Sequence, residues 1–386
     1  MSSGTMERIL RLMAEKKASD VYLTAYAPAM IKIHGQTIPI NSQVLPLDAP
    51  RNLLSEIVSS TRMEELTETG ELNMGVTLDG LGNFRISAFR QRATYSVVIR
   101  FVPSNIPRLS EINVSPILAD LVMEKRGLIL MVGSTGAGKS TTLAAMLDHR
   151  NEQATGHILT IEDPIEYTYA NKKSVVNQRE IGPDTASLQI ALKNALRQAP
   201  DVILIGEIRD RETMSAAIAY AQSGHLCLAT LHANNSYQAL NRILSFYPVE
   251  VRPTMLGDLA AALRAIVSQR LLRTHTGGRV PAVEVMLNTA LIADLIQKAD
   301  FSGVREAMEK SLAEGSQTFE QDIARLIHEG VISRAEGLAH ADSPNNLLWR
   351  LQNDFNATKS SEAAQAADEE GSDSATFTEF TLDVKH

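Results

Sequence analysis

The chain has a single cysteine, Cys227, and it lies inside an apolar run. One cysteine excludes an intramolecular disulfide framework and any four-cysteine metal site, and it leaves Cys227 as a small core residue. Long apolar runs are missing as well. No stretch approaches the ~18–20 uninterrupted apolar residues that a membrane span requires. The opening residues Met-Ser-Ser-Gly-Thr-Met-Glu carry no apolar signal core, which predicts a cytoplasmic chain that is not exported. Positive charge is in deficit: the formal net charge is −8. That balance argues against a nucleic-acid partner, whose channel needs concentrated Lys and Arg. What is present suffices for real cores, since 44% of the 386 residues are apolar, and the length predicts two or three domains.

Residues 6–20 pattern as an amphipathic helix, with Ile9, Leu10, Met13 and Ala14 on one side. Strand-like pieces follow at 20–24, 29–33, 74–78, 83–89 and 96–101, with a helical segment near 48–68 between them. This predicts a small α+β domain over residues 1–103, closed by a linker at 104–117 that Pro103 and Pro107 punctuate. From residue 118 strands alternate with helices, the pattern of a mostly parallel sheet. Strands are expected at 127–133, 157–162, 201–205 and 225–231, whereas residues 236–345 read as almost wholly helical. The remainder, 346–386, reads as an acidic, disordered tail. From residue 355 onward two lysines, Lys359 and Lys385, oppose seven carboxylates. The fold class expected is α/β.

Residues 133–140 carry the chemistry. Gly133, Ser134, Thr135, Gly136, Ala137, Gly138, Lys139 and Ser140 form the full G-x-x-x-x-G-K-[ST] phosphate-binding loop. A buried-strand run precedes it and a helix, opening with Thr141, follows. The glycines let the backbone curl so that successive N–H groups face one anion. Lys139 supplies a charge for the β- and γ-phosphates, and the Ser140 hydroxyl can ligate Mg²⁺. The helix N-terminus adds positive potential. The ligand expected is a nucleoside triphosphate.

Phosphoryl transfer to water also needs carboxylates. Glu207 follows the apolar strand 201–205, at the carboxyl end where open α/β sheets bind ligands, and it is a second candidate Mg²⁺ ligand. Glu162, Asp163 and Glu166 crowd the end of an earlier strand, which is costly unless a cation or water receives them. Two histidines, His225 and His232, bracket the last strand. No third soft ligand accompanies them, which disfavours a metal site.

Together the segments Gly-Ser-Thr-Gly-Ala-Gly-Lys-Ser-Thr-Thr-Leu-Ala-Ala-Met, Ile-Leu-Thr-Ile-Glu-Asp-Pro-Ile-Glu, Val-Asn-Gln-Arg-Glu, Ile-Gly-Glu-Ile-Arg-Asp and Gly-His-Leu-Cys-Leu-Ala-Thr-Leu-His resemble the secretion-superfamily ATPases. The similarity is greatest to the type IV pilus retraction motors of the PilT/PilU family, and it covers about residues 6–345. The resemblance implies a PAS-like N-terminal domain, a RecA-like ATPase domain with C-terminal helices, and a homo-hexameric ring binding ATP and Mg²⁺ between domains. It implies an Asp box at Glu162, Asp163 and Glu166, a Walker B acid at Glu207 and a His box at His225 and His232. It further implies phosphate-reaching arginines in the N-terminal domain, for which Arg85, Arg90 and Arg100 are the matching residues. How Glu166 and Glu207 divide the Mg²⁺ and water-orienting roles is left open.

Within the superfamily, extension and secretion ATPases carry a four-cysteine zinc insertion and a longer N-terminal region, both missing here. A DNA-transfer ATPase is disfavoured by the acidic balance. A catalytically dead ring subunit would have lost Lys139, Glu207 or a His-box histidine. Where the principal retraction motor carries Ala-Ile-Arg-Asn-Leu-Ile-Arg-Glu, this chain has Ala290-Leu-Ile-Ala-Asp-Leu-Ile-Gln-Lys298. With the acidic tail, that departure points to the accessory, PilU-type branch. The partners implied are a PilT-type paralogue and the inner-membrane platform protein at the pilus base.

Overall fold

Alternation of apolar and polar side chains decides the first sheet. The computed structural model describes residues 4–353, apart from 17, 34–35, 79–81, 103–104 and 311–312. In it β1 (Asp20–Thr24), β2 (Pro28–Ile33), β3 (Gln36–Val44), β4 (Glu71–Leu78), β5 (Gly82–Gln91) and β6 (Thr94–Val102) form one sheet. Its order is β3-β2-β1-β6-β5-β4, with every neighbouring pair antiparallel. Along β5, Phe84, Ile86 and Ala88 are buried, in one cluster with Met6, Leu10 and Met13 of the helix Thr5–Glu15. Arg85 therefore projects from the opposite face, away from that core. Arg100 lies directly across from it on β6.

The second sheet is built differently. β7 (Gly127–Val132), β8 (Gly156–Glu162), β9 (Ser174–Glu180), β10 (Val202–Ile205), β11 (Leu226–Leu231), β12 (Leu263–Arg273) and β13 (Arg279–Leu287) stack in the order β13-β12-β7-β11-β10-β8-β9. All pairs are parallel except β12 with β13. Every residue of β7, β10 and β11 is buried, because helices cover both faces. The helices Ile117–Met123 and Lys139–Gln153 pack on one side through Leu118, Leu143 and Met146. The helices Arg211–Gln222, Ser236–Ser245 and Arg252–Ala262 pack on the other through Met214, Leu240 and Leu259. No described helix is long and apolar enough to cross a membrane.

The structure corrects two expectations. Residues 236–345 are not almost wholly helical, since they contain β12 and β13. Leu, Arg, Ala and Gln in β12 favour a helix locally, but the free edge of β7 accepts it as a parallel neighbour, and that pairing overrides propensity. The tail does not begin at 346. Residues 344–353 are helical, and Leu347 and Leu351 are buried with Leu272, Val280 and Phe319. Residues 354–386 and Pro103 lie outside the described residues. β3 and β9 are strands that the sequence reading did not anticipate.

A buried carboxyl joins β13 to β12 and to the start of the helix Ser236–Ser245. Glu284 Oε1 accepts from Ser236 N (2.8 Å), Ser236 Oγ (2.6 Å) and Ser268 Oγ (2.9 Å). Burial raises its pKa above the ordinary carboxylate value despite these donors. A raised folded-state pKa means the folded chain holds this proton more tightly than the unfolded chain. Its contribution to stability therefore declines as pH climbs from about 4.3, the unperturbed Glu value, through the folded value. Glu284→Gln keeps an acceptor and removes this titration. The stability difference, variant minus wild type, is expected to become more favourable from pH 4 to pH 8 in urea denaturation. A difference that moves the other way would contradict the assignment.

Candidate functional site

Parallel strands deliver their carboxyl ends to one side of the sheet, and the chain uses four of them there. β7 runs into the loop 133–138, β8 ends at Glu162, β10 is followed by Gly206 and Glu207, and β11 is followed by His232. Gly206 lets β10 approach β8: a Cβ there would lie 3.2 Å from Glu162 Cα and from Ile161 O. The result is a cavity of about 550 Å³, lined among others by Thr135, Gly136, Lys139, Ser140, Glu162, Asp163, Glu166, Glu207 and His232.

The loop is packed against the strand beside it. Gly133 has φ 155°, and a Cβ on it would come 2.6 Å from the backbone O of Gln269 on β12. Lys139 Nζ donates to Gly133 O (2.8 Å) and Ser134 O (2.9 Å), closing the loop on itself. Burial lowers the Lys139 pKa, while the charges of Glu207 and Glu166 hold it up. Thr141 Oγ1 is 2.8 Å from the hydroxyl of Tyr167, another cavity residue.

Each acid has its own surroundings. Glu207 is bound by Arg209 (2.6 Å) through one oxygen and lies 3.3 Å from His232 Nε2 through the other. Glu162 accepts from Thr160 Oγ1 (2.7 Å) and Gln178 Nε2 (3.3 Å), and burial raises its pKa. Glu166 pairs with Arg85 of the first sheet at 3.2 Å, and Arg85 also donates to Pro164 O at 3.3 Å. The Asp163–Pro164 peptide is cis. Asn83 Nδ2 adds a second link between the sheets, donating to Thr168 Oγ1 at 2.8 Å. Gly75, opposite Arg85 on β4, leaves room for Glu180: its Cβ position is 3.6 Å from that carboxylate.

The nine predicted catalytic residues therefore divide. Glu162, Asp163, Glu166, Glu207 and His232 line the cavity, and Arg85 reaches its Glu166 edge. His225 lies at the opposite end of β11, about 23 Å from His232 at ~3.3 Å per residue, next to Ser223 Oγ (3.1 Å). Arg100 is held by the buried Asp20 at 2.9 Å. Arg90 is exposed near the far end of β5, its N–H bonded to Gly70 O. Within one chain these three do not join the cavity. Sequence reasoning missed Tyr167 and Gln269, whose long-range contacts carry no local signature, and it quoted Gln178 within the segment 176–180 without giving it a role.

Residues 4–336 match the family model described as Type II/IV secretion system protein. The chain is 46% identical over 347 residues to the type IV pilus ATPase PilU of Pseudomonas aeruginosa, covering 90% of this chain and 91% of that one. It is 36% identical over 338 residues to the retraction ATPase PilT of the same organism, covering 88% and 98%. This chain belongs to the PilT/PilU family of retraction ATPases. A crystal structure of the pilus retraction motor PilT with bound ADP superposes with a TM-score of 0.83 at 36% identity, covering 89% of this chain and 99% of that one.

Crowding at the loop sets a mutational order. Gly136 has φ 79° and open space around it, whereas Gly133 combines positive φ with a backbone clash. Gly136→Ala is expected to cost about 1–2 kcal/mol of stability, the strain of a left-handed residue. Gly133→Ala must displace β12 or the loop and should cost clearly more in urea denaturation. Equal costs would mean that Gln269 does not confine the loop.

Proposed function

We propose that this chain hydrolyses ATP to power retraction of a type IV pilus, working as an accessory, PilU-type motor in a homo-hexameric ring. The observation that carries the reading is the meeting of the phosphate loop, Glu207, Glu166 and His232 at the carboxyl ends of adjacent parallel strands. The second sheet with its helices is read as a RecA-like ATPase unit over 118–345, and the first as a PAS-like unit over 1–103. Similarity to PilU over most of both chains supports the branch assignment.

The residues suit Mg²⁺. Ser140 and the nearby carboxylates are hard oxygen donors, and no cluster of three His, Cys, Asp or Glu suited to a metal occurs among the described residues. That matches an ion held by one or two side chains, with phosphates and water completing the shell. Ser140 and Glu207 would hold it, and bound there it would neutralise charge on the β- and γ-phosphates.

The chain's own groups do the rest. Loop N–H groups and Lys139, turned from its loop carbonyls, hold the β- and γ-phosphates. Glu207 or Glu166 orients the attacking water, and His232 fixes Glu207 by contact with its Oε1. Arg85 stands where the first sheet meets the Glu166 edge, suited to follow the γ-phosphate and couple nucleotide state to the angle between the two units. His225, Arg90 and Arg100, remote within one chain, are left to act across a subunit boundary. Retraction would then pass to the inner-membrane platform protein, with the PilT-type paralogue as co-motor.

A composite site needs assembly. ATP hydrolysis per chain is expected to fall on dilution in step with loss of the hexamer in mass photometry, and Lys139→Ala should abolish hydrolysis in the assembled protein. Turnover by a monomer that is independent of concentration would refute the ring. Near wild-type hydrolysis by Lys139→Ala would refute the site.

A further inference from the structure

Between Arg264 and Arg273, near its two ends, β12 is apolar except at its middle, where Ser268, Gln269 and Arg270 occur in succession. Gln269 is 2% exposed and faces the phosphate loop. Its Nε2 donates to Ala137 O at 2.8 Å. Its Oε1 accepts from Thr142 Oγ1, itself buried, at 2.8 Å. Its backbone oxygen confines Gly133, and its amide nitrogen lies 2.6 Å from where a Cβ on Gly138 would be. One side chain thus touches the loop's last turn and the first turn of the following helix, while its own backbone limits the loop's start.

We infer that Gln269 is a positioning residue that aims the Gly138 N–H at the β-phosphate of the bound nucleotide. The inference rests on the nucleotide reading above. A trans peptide is planar, with its C=O and N–H on opposite sides. The Ala137–Gly138 peptide carries no side chain that could fix its plane, and glycine tolerates both orientations. Binding Ala137 O on the β12 side directs the Gly138 N–H to the other side, away from Gln269. Were this peptide to flip, a carbonyl dipole would replace an N–H donor at the anion, so the loop would repel what it should bind. Thr142 completes the device. By donating to Oε1 it fixes which end of the Gln269 amide faces Ala137, so the donor cannot rotate away.

The role is specific to phosphate, which separates it from simple core packing. Gln269→Met keeps length and volume but loses both hydrogen bonds. It is expected to weaken ADP binding about tenfold, as two lost hydrogen bonds and a freed peptide suggest, while AMP binding, without a β-phosphate, changes less than about twofold. Amide exchange at 134–138 should quicken while the rest of the sheet keeps its protection. Thr142→Val removes the hydroxyl from the opposite partner and keeps a β-branched shape. It should shift ADP affinity in the same direction by a smaller factor, which provides a test should Gln269→Met fold poorly. Calorimetric titration of ADP and AMP into the full chain reads the affinities, and hydrogen exchange of the same proteins reads the loop. Unchanged ADP affinity in a folded variant, or equal losses for ADP and AMP, would overturn the assignment to Gln269. A wild-type chain that binds neither nucleotide would instead overturn the nucleotide reading itself.

Discussion

The position of the phosphate loop is inherited from β7, and β7 is fixed because it has a parallel neighbour on each side. β11 pairs with all six of its residues, and β12 pairs along most of the other edge. A curl of backbone rich in glycine has little conformational preference of its own. Its geometry must be imposed by what surrounds it. The strand supplies the origin, the helix Lys139–Gln153 the exit direction, and β12 the wall that Gly133 and Gly138 are too small to strike. Losing the β7–β12 pairing would leave every N–H in the loop intact and aim none of them.

The same parallel arrangement explains the electrostatics. Strand ends bring Glu162, Glu166 and Glu207 together, and each has a separate local arrangement. Arg209 and His232 engage Glu207, Arg85 pairs with Glu166, and Thr160 and Gln178 donate to Glu162. Glu162, with its pKa raised by burial, is the acid best adapted to a structural hydrogen-bonding role. The charges of Glu207 and Glu166 act on Lys139, and these are the two acids proposed for the reaction. Because the Glu166 partner comes from the first sheet, the acid edge of the cavity and the contact between the two sheets share one ion pair.

Much of this was legible in the sequence, for a physical reason. The phosphate loop, the acids at 162–166, Glu207 and His232 each follow a buried strand within a few residues, so local pattern locates them. His225 shows the limit of that logic: a strand has two ends, and within one chain only the carboxyl end of β11 borders the cavity. Arg85, Arg90 and Arg100 could not be separated in sequence because the face and register of each depend on pairing between distant strands. β12 was hidden for a similar reason. Its residues suit a helix, and pairing with β7 on one side and β13 on the other makes it a strand, so Gln269 and its contact with Ala137 became visible only in three dimensions. The two buried leucines at 347 and 351 were likewise masked by the polar residues around them.

Hydrogen exchange of the full chain with and without ADP tests most directly whether this strand-end cavity is the nucleotide site. Bound nucleotide should slow exchange at 133–141 and, more weakly, at 163–168 and 207–209, leaving the segment around His225 unchanged. Protection centred elsewhere, or none at 133–141 under saturating ADP, would contradict the placement of the nucleotide against β7.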